Sequence, residues 1–211
     1  IIVLVIGSIY GAISGLIGGK VDAVMMRIVE IIYSLPDMLI IILLRIVLND
    51  PLTKAFDSGH AFGALQMLGP GILAMFIVYG LLYWVGMARI VRGQVLQLKE
   101  MEYVNAARAL GADNKRLIFK HLLPNCIGQL VVTTMLQIPS AIFTEAFLSF
   151  LGIGVSKPLA SLGSLASDAL DGIASYPYRL MFPAIAISII ILAFNLFGDG
   201  LRDALDPRLK K

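Results

Sequence analysis

The stretch LMFPAIAISIIILAFNLFG, residues 180–198, carries no charged side chain. It is long enough to cross about 30 Å of hydrocarbon as an α-helix. Four further segments read the same way, at roughly 1–18, 28–48, 71–93 and 126–150. The whole chain is 58% hydrophobic and 15% charged, against the roughly 45–50% apolar content of a soluble domain. A membrane β-barrel would show short alternating strands instead, and the sequence has none. The expected class is therefore an all-α integral membrane protein, a polytopic helical bundle with about five transmembrane helices. The chain opens on IIVLVIGSIYGAISGLIGG without methionine, a basic n-region or a cleavage site. That is not a signal peptide, and we read the chain as N-terminally incomplete.

Between the apolar segments lie GKVDAVMMR (19–27), the polar loop NDPLTKAFDSGHAFGALQMLGP (49–70), a charged stretch (94–125), the loop VSKPLASLGSLASDALDGIASYP (155–177) and a basic tail. Lys and Arg concentrate on the cytoplasmic side of membrane proteins. Of the 17 basic residues, Lys20, Arg27, Arg89, Arg92, Lys99, Arg108, Lys115, Arg116, Lys120, Arg202, Arg208, Lys210 and Lys211 fall on one side, and Arg45, Lys54, Lys157 and Arg179 on the other. This bias places the charged stretch and the C-terminus in the cytoplasm and the loops near 49–70 and 155–178 outside, in a multi-pass plasma-membrane protein. Arg45, near an outer helix end, is expected to snorkel to the headgroups. Asp37, after Ser34-Leu35-Pro36, suits the start of a helix.

Gly7, Gly11, Gly15 and Gly19 recur every fourth residue. Such a ridge lets another helix approach closely, and all four are candidate helix-packing residues. In the segment 126–150, Thr133, Gln137, Ser140 and Thr144 share one helical face, Pro139 should bend the helix, and Glu145 is ionisable within the span. A polar face of this kind either lines a pathway or glues helices together. Both readings stay open for Thr133, Gln137, Ser140, Thr144 and Glu145.

Enzyme chemistry finds no support. His60 and His121 lie in loops on opposite sides of the membrane, and the lone Cys126 excludes an internal disulfide and a Cys-based zinc cluster. SGLIGGKV, residues 14–21, fails as a phosphate-binding loop, with Ser14 for the first Gly and Val21 for Ser or Thr. No catalytic residue, no metal site and no cofactor bound by this chain is expected.

The charged stretch reads as helical over 94–123. Gly111 breaks it, Asp113 caps a second short helix, and Pro124 ends that helix. Ala106, Ala107, Ala109, Gly111 and Ala112 form a small-residue patch flanked by charge. Such a surface slots into a cleft on a cytoplasmic protein, or rests amphipathically on the headgroups.

NAARALGADNKRLIFKHLLP, residues 105–124, resembles the cytoplasmic loop signature E-A-A-x3-G-x9-I-x-L-P of ABC importer permeases. Ala106, Ala107, Gly111, Leu123 and Pro124 match; Asn105 stands in place of Glu and His121 in place of Ile, with Glu102 one turn earlier. GGKVDAVMMRIVEIIYSLP, GMARIVRGQVLQLKEMEYVNAARALGA, FLSFLGIGV and AFNLFGDGLRDALDPRLK extend the likeness over nearly the whole chain. They are similar to the second permease subunit of dipeptide/oligopeptide importers, a branch that includes nickel importers. KPLASLG departs from that branch's P-T-P-S-W-G, and 49–70 is longer than usual.

The resemblance implies a type I ABC importer permease fold over 1–211, with a coupling-helix loop at about 94–125. It implies half of a translocation pathway for di/oligopeptides, nickel or another small solute. Its partners would be a homologous permease subunit, two cytoplasmic ATPase subunits holding ATP and magnesium, an extracellular solute-binding protein and the lipid membrane, with no nucleic acid. Glu102, Asn105, Ala106, Ala107, Gly111, Ala112, His121, Leu123 and Pro124 would dock the ATPase. A membrane scaffold that recruits a partner without transport, and an ion-coupled carrier, are the alternatives.

Overall fold

In a computed structural model, described for residues 1–57, 69–155 and 159–205, the chain is helical, and no β-strand occurs among the described residues. The helices are α1 (Ile2–Ile17), α2 (Gly19–Tyr33), α3 (Asp37–Asp57), α4 (Gly69–Leu82), α5 (Trp84–Leu98), α6 (Glu102–Ala109), α7 (Asn114–Arg116), α8 (Ile127–Phe150), α9 (Leu162–Leu170) and α10 (Tyr178–Leu205). A wider π turn (Leu117–Leu122) and a 3-10 turn (Leu123–Cys126) join α7 to α8. Three continuous helical stretches are long and apolar enough to cross a membrane: Gly69–Leu98, Asn114–Phe150 and Tyr178–Leu205. The broken pair α2 and α3 passes the same test as one span, and α1 is a shorter apolar helix. These correspond to the five apolar segments of the sequence.

Helix boundaries differ from the sequence expectation at four places. GKVDAVMMR is not a loop but the first half of the amphipathic helix α2, whose charged residues lie on a helix that is still largely apolar. The segment 49–70 is not loop throughout, because α3 runs on through Pro51 to Asp57. A proline inside a helix removes one backbone hydrogen bond and need not end the helix when the remaining ladder holds. Pro124 likewise does not terminate the helical path. It occupies the first turn of the 3-10 segment, where a missing N–H costs little, and the π turn before it absorbs the change of register. Within 155–178, residues 162–170 form α9, held at its start by a reciprocal capping box between Ser161 and Ser164. His60, Lys157, Arg208, Lys210 and Lys211 lie outside the described residues.

The described residues form two compact units. The first is drawn from Ile1–Pro36, Gly80–Thr134 and the chain from Asp199; the second from Asp37–Tyr79 and Met135–Gly198. In the first unit α1 lies against α5. A Cβ added to Gly7 would meet Met87 Cβ at 2.6 Å, one on Gly11 would meet Val91 Cβ at 2.9 Å, and one on Gly15 would meet Val95 Cγ1 at 2.9 Å. The backbones therefore approach as closely as only glycine permits. Gly19 does not share this seam. It opens α2 at φ 55° with open space around it, because the chain turns at Gly18 and carries Gly19 off the α1 face.

Ala12 and Leu16 of α1 pack with Met87, Val91 and Val95 of α5, and this core continues through Val104, Leu117, Ile118, Leu122, Cys126 and Leu130. The charged stretch is thus bolted by its apolar face to the α1–α5 pair.

In the second unit, the turn after α8 folds back on the helix. Gly152 has φ 77°, and a side chain on Gly154 would collide with Ser149. Gly163 of α9 lies directly on the Ala146 carbonyl. Arg45 does not snorkel. It is buried to 4% exposure and donates to Asn49 Oδ1 and to the Gly154 carbonyl, each at 2.9 Å. A backbone carbonyl within the unit replaces the headgroups as its acceptor.

Candidate functional site

The segment 102–126 is a helical corner with two unlike faces. α6 ends in a Schellman arrangement. The Ala112 N–H donates to the Ala107 carbonyl and the Gly111 N–H to the Arg108 carbonyl, each at 3.0 Å. That geometry needs a left-handed residue, and Gly111 supplies it at φ 84°. Two residues on, the Asp113 carboxylate accepts from the Arg116 N–H at 3.0 Å and caps α7.

The inward face is apolar. Val104, Leu117, Ile118 and Leu122 are buried, and Ala107, Ala112 and Leu123 pack partly against them. The outward face carries Glu102, Asn105, Ala106, Gly111 and Pro124, all exposed. At its tip Leu110 is 89% exposed, and a Cβ on Gly111 would meet nothing within 4 Å. His121 is half-buried. Asn105 Nδ2 donates to the Glu100 carbonyl at 3.4 Å, and Asn125 Nδ2 donates to the His121 carbonyl at 2.6 Å. The nine sequence-nominated residues are therefore split: Ala107, Ala112 and Leu123 turn toward the core, Glu102, Asn105, Ala106, Gly111 and Pro124 turn outward, and His121 is half-buried between them.

Behind the corner sits an ionic clamp that the sequence reading does not single out. Arg92 of α5 donates from Nε to Asp22 Oδ1 at 2.6 Å and from a terminal nitrogen to Oδ2 at 2.5 Å. Ser14 of α1 donates its hydroxyl to the same Asp22 carboxylate. Two helices, α1 and α5, thus converge on one carboxylate of α2. Two more contacts tie down α2: the Tyr10 hydroxyl donates to the Met25 carbonyl at 2.9 Å, and the Arg89 guanidinium lies 3.9 Å from the Tyr33 ring centre. Asp22 and Arg92 are 70 residues apart, so no local spacing marks them; an acidic residue in an apolar helix is the one signal the sequence offers.

The polar face of α8 is mixed. Thr133 belongs to the first unit and is buried. Gln137, Ser140, Thr144 and Glu145 belong to the second. Thr144 is buried and donates to the Ser140 carbonyl at 2.8 Å; Gln137 is half-buried and Ser140 exposed. Glu145 is half-buried on the wall of a cavity of about 310 Å³. Its Oε1 accepts from the Ser149 hydroxyl at 2.6 Å, and Ser149 in turn accepts from the Val155 N–H at 3.0 Å. Among the described residues no group of three or more His, Cys, Asp or Glu side chains is placed to hold a metal ion.

Residues 7–211 match the model of a family described as binding-protein-dependent transport system inner membrane component. The chain belongs to this family. It is a multi-pass membrane transport component with the type I ABC permease fold. The oligopeptide transport system permease protein OppC of Bacillus subtilis is 50% identical over 99% of this chain and 62% of its own length. The dipeptide transport system permease protein DppC of the same organism is 46% identical over 98% of the chain and 58% of its own length. The oligopeptide transport system permease protein OppC of Escherichia coli strain K12 is 42% identical over 90% of the chain and 57% of its own length. The chain spans about three fifths of the length of these relatives, and their names agree with the dipeptide/oligopeptide resemblance carried by its motifs.

Proposed function

We propose that this permease subunit forms half of the translocation pathway of an ATP-driven importer for dipeptides or oligopeptides. It pairs with a homologous permease, receives substrate from an extracellular binding protein, and is driven by two cytoplasmic ATPase subunits that hold ATP and magnesium. The relatives named as oligopeptide and dipeptide permeases support the substrate class. The charge bias of the loops supports a cytoplasmic corner and C-terminus.

The observation that carries the coupling role is the two-faced corner. Its outward face presents Leu110 at 89% exposure beside the left-handed Gly111, while its inward face is continuous with the α1–α5 core. An exposed leucine on that turn offers apolar area that a partner's cleft can bury. Movement of that turn passes to α1 and α5 through Val104, Leu117, Ile118 and Leu122. ATP binding closes the ATPase pair and biases the membrane helices toward one of two arrangements. The chain itself performs no hydrolysis.

The test is reconstitution of the complete complex in liposomes. Uptake of a radiolabelled tripeptide should require ATP, and the loaded binding protein should stimulate ATP hydrolysis. Uptake driven by an ion gradient without the ATPase subunits would contradict the proposal, as would ATPase recruitment without uptake.

A further inference from the structure

The second unit contains a cavity whose chemistry the coupling role does not use. Ile72, Met75, Phe76 and Tyr79 of α4 form one wall, Leu159 contributes to another, and Glu145 of α8 supplies the one charged side chain among its described lining residues. At about 310 Å³ the cavity stands near the lower end of the roughly 300–1,000 Å³ range of small-molecule sites. It suits one end of an extended ligand.

An ionisable group within a membrane helix usually faces the bundle interior or a wet cavity, or pairs with another polar group. Glu145 is held in place from behind. Ser149 donates to its Oε1, and the Val155 N–H fixes Ser149. The same turn is anchored by Arg45 through the Gly154 carbonyl. Among the described lining residues no Lys or Arg accompanies Glu145, and a ligand cation in the cavity would meet its carboxylate. Phe76 and Tyr79 add aromatic surface to the described lining.

We propose that this cavity is a subsite for the α-ammonium group of a peptide, with Glu145 as its counter-ion and the apolar wall taking the first side chain. The inference rests on the peptide-transport reading and adds a contact within the permease that distinguishes a free amino terminus from a blocked one.

The test uses the complete complex with a non-hydrolysable ATP analogue, and equilibrium binding of trialanine and of N-acetyl-trialanine without the binding protein. Glu145→Gln keeps an acceptor for Ser149 and removes only the charge. The wild type should prefer the free-amine peptide by about tenfold, the scale of one charge-assisted hydrogen bond. Glu145→Gln should bind both peptides equally, at the acetylated level, and Glu145→Asp should restore part of the preference. Glu145→Gln with the preference intact overturns the proposal, as does equal binding by the wild type or an equal weakening of both peptides. A variant that keeps the preference but needs more binding protein for half-maximal ATPase stimulation assigns the cavity to binding-protein docking and likewise overturns it. Uptake by the wild-type complex with its binding protein is measured in parallel. If uptake proceeds and the preference is absent, the subsite alone fails; if no peptide is imported, the transport reading fails with it.

Discussion

Arg92 grips Asp22 with two nitrogens on two oxygens, the Nε–Oδ1 contact being 2.6 Å. The pair joins α5 to α2, and the Ser14 hydroxyl adds α1 to the same carboxylate. Its place is telling: α1 and α5 are the helices on which the corner's apolar face is seated. The clamp and the core together make α1, α2, α5 and the corner one mechanical body.

Removing one partner should therefore cost at least as much as removing both. Asp22→Ala or Arg92→Ala leaves a partly buried charge unpaired, and each is expected to destabilise the first unit by about 1–3 kcal/mol. The double variant should be no worse than the more damaging single one. Arg92→Lys should recover little, because an ammonium cannot span both oxygens. Thermal unfolding in detergent, arranged as a double-mutant cycle, measures the coupling; strictly additive losses would mean that the two residues do not act as a pair.

The glycine seam gives a position-dependent expectation. Gly11→Ala places a methyl group against Val91 and the Ala88 carbonyl, and overpacking of this kind costs about 1–3 kcal/mol. Gly19→Ala meets no neighbour and carries only the strain of a left-handed backbone, about 1 kcal/mol. Melting temperatures should fall further for Gly11→Ala than for Gly19→Ala. The reverse order would contradict the observed α1–α5 packing.

Arg45 offers a third check. Arg45→Ala leaves the Gly154 carbonyl and Asn49 side chain without their donor, at a cost of about 1–3 kcal/mol. A headgroup-facing arginine would tolerate the change. Protease accessibility of the 151–155 turn should rise in the variant, and unchanged accessibility would argue against the buried clamp.

Much of this architecture is legible in the sequence, and the misses share a cause. The apolar segments announce the helices because length and hydropathy are local properties. The break at Gly111 and the Asp113 cap are legible for the same reason, each being fixed by residues within one turn. Pro124 misleads because a proline's local preference is overridden when the flanking helix is well supported, and the start of 49–70 misleads because a polar stretch can still continue a helix. Arg45 misleads because charge near a helix end suggests water, whereas its acceptor is a carbonyl 109 residues away. The Asp22–Arg92 pair and the exclusion of Gly19 from the seam depend on tertiary contacts that no periodicity encodes. Within the nominated corner, spacing identifies the turn but not the division between inward Ala107 and Ala112 and outward Ala106 and Glu102.

The proposed coupling role requires the corner's outward face to dock the ATPase subunits. It is tested most directly by Leu110→Glu, which replaces the 89%-exposed apolar side chain on that face with a charged one and leaves the left-handed Gly111 in place. Co-purification of the ATPase subunits with the membrane-inserted variant is the measurement, with ATP-dependent peptide uptake read alongside. The expected result is normal membrane insertion, loss of the ATPase subunits and loss of uptake. A variant that inserts, retains the ATPase subunits and transports at the wild-type rate would contradict it.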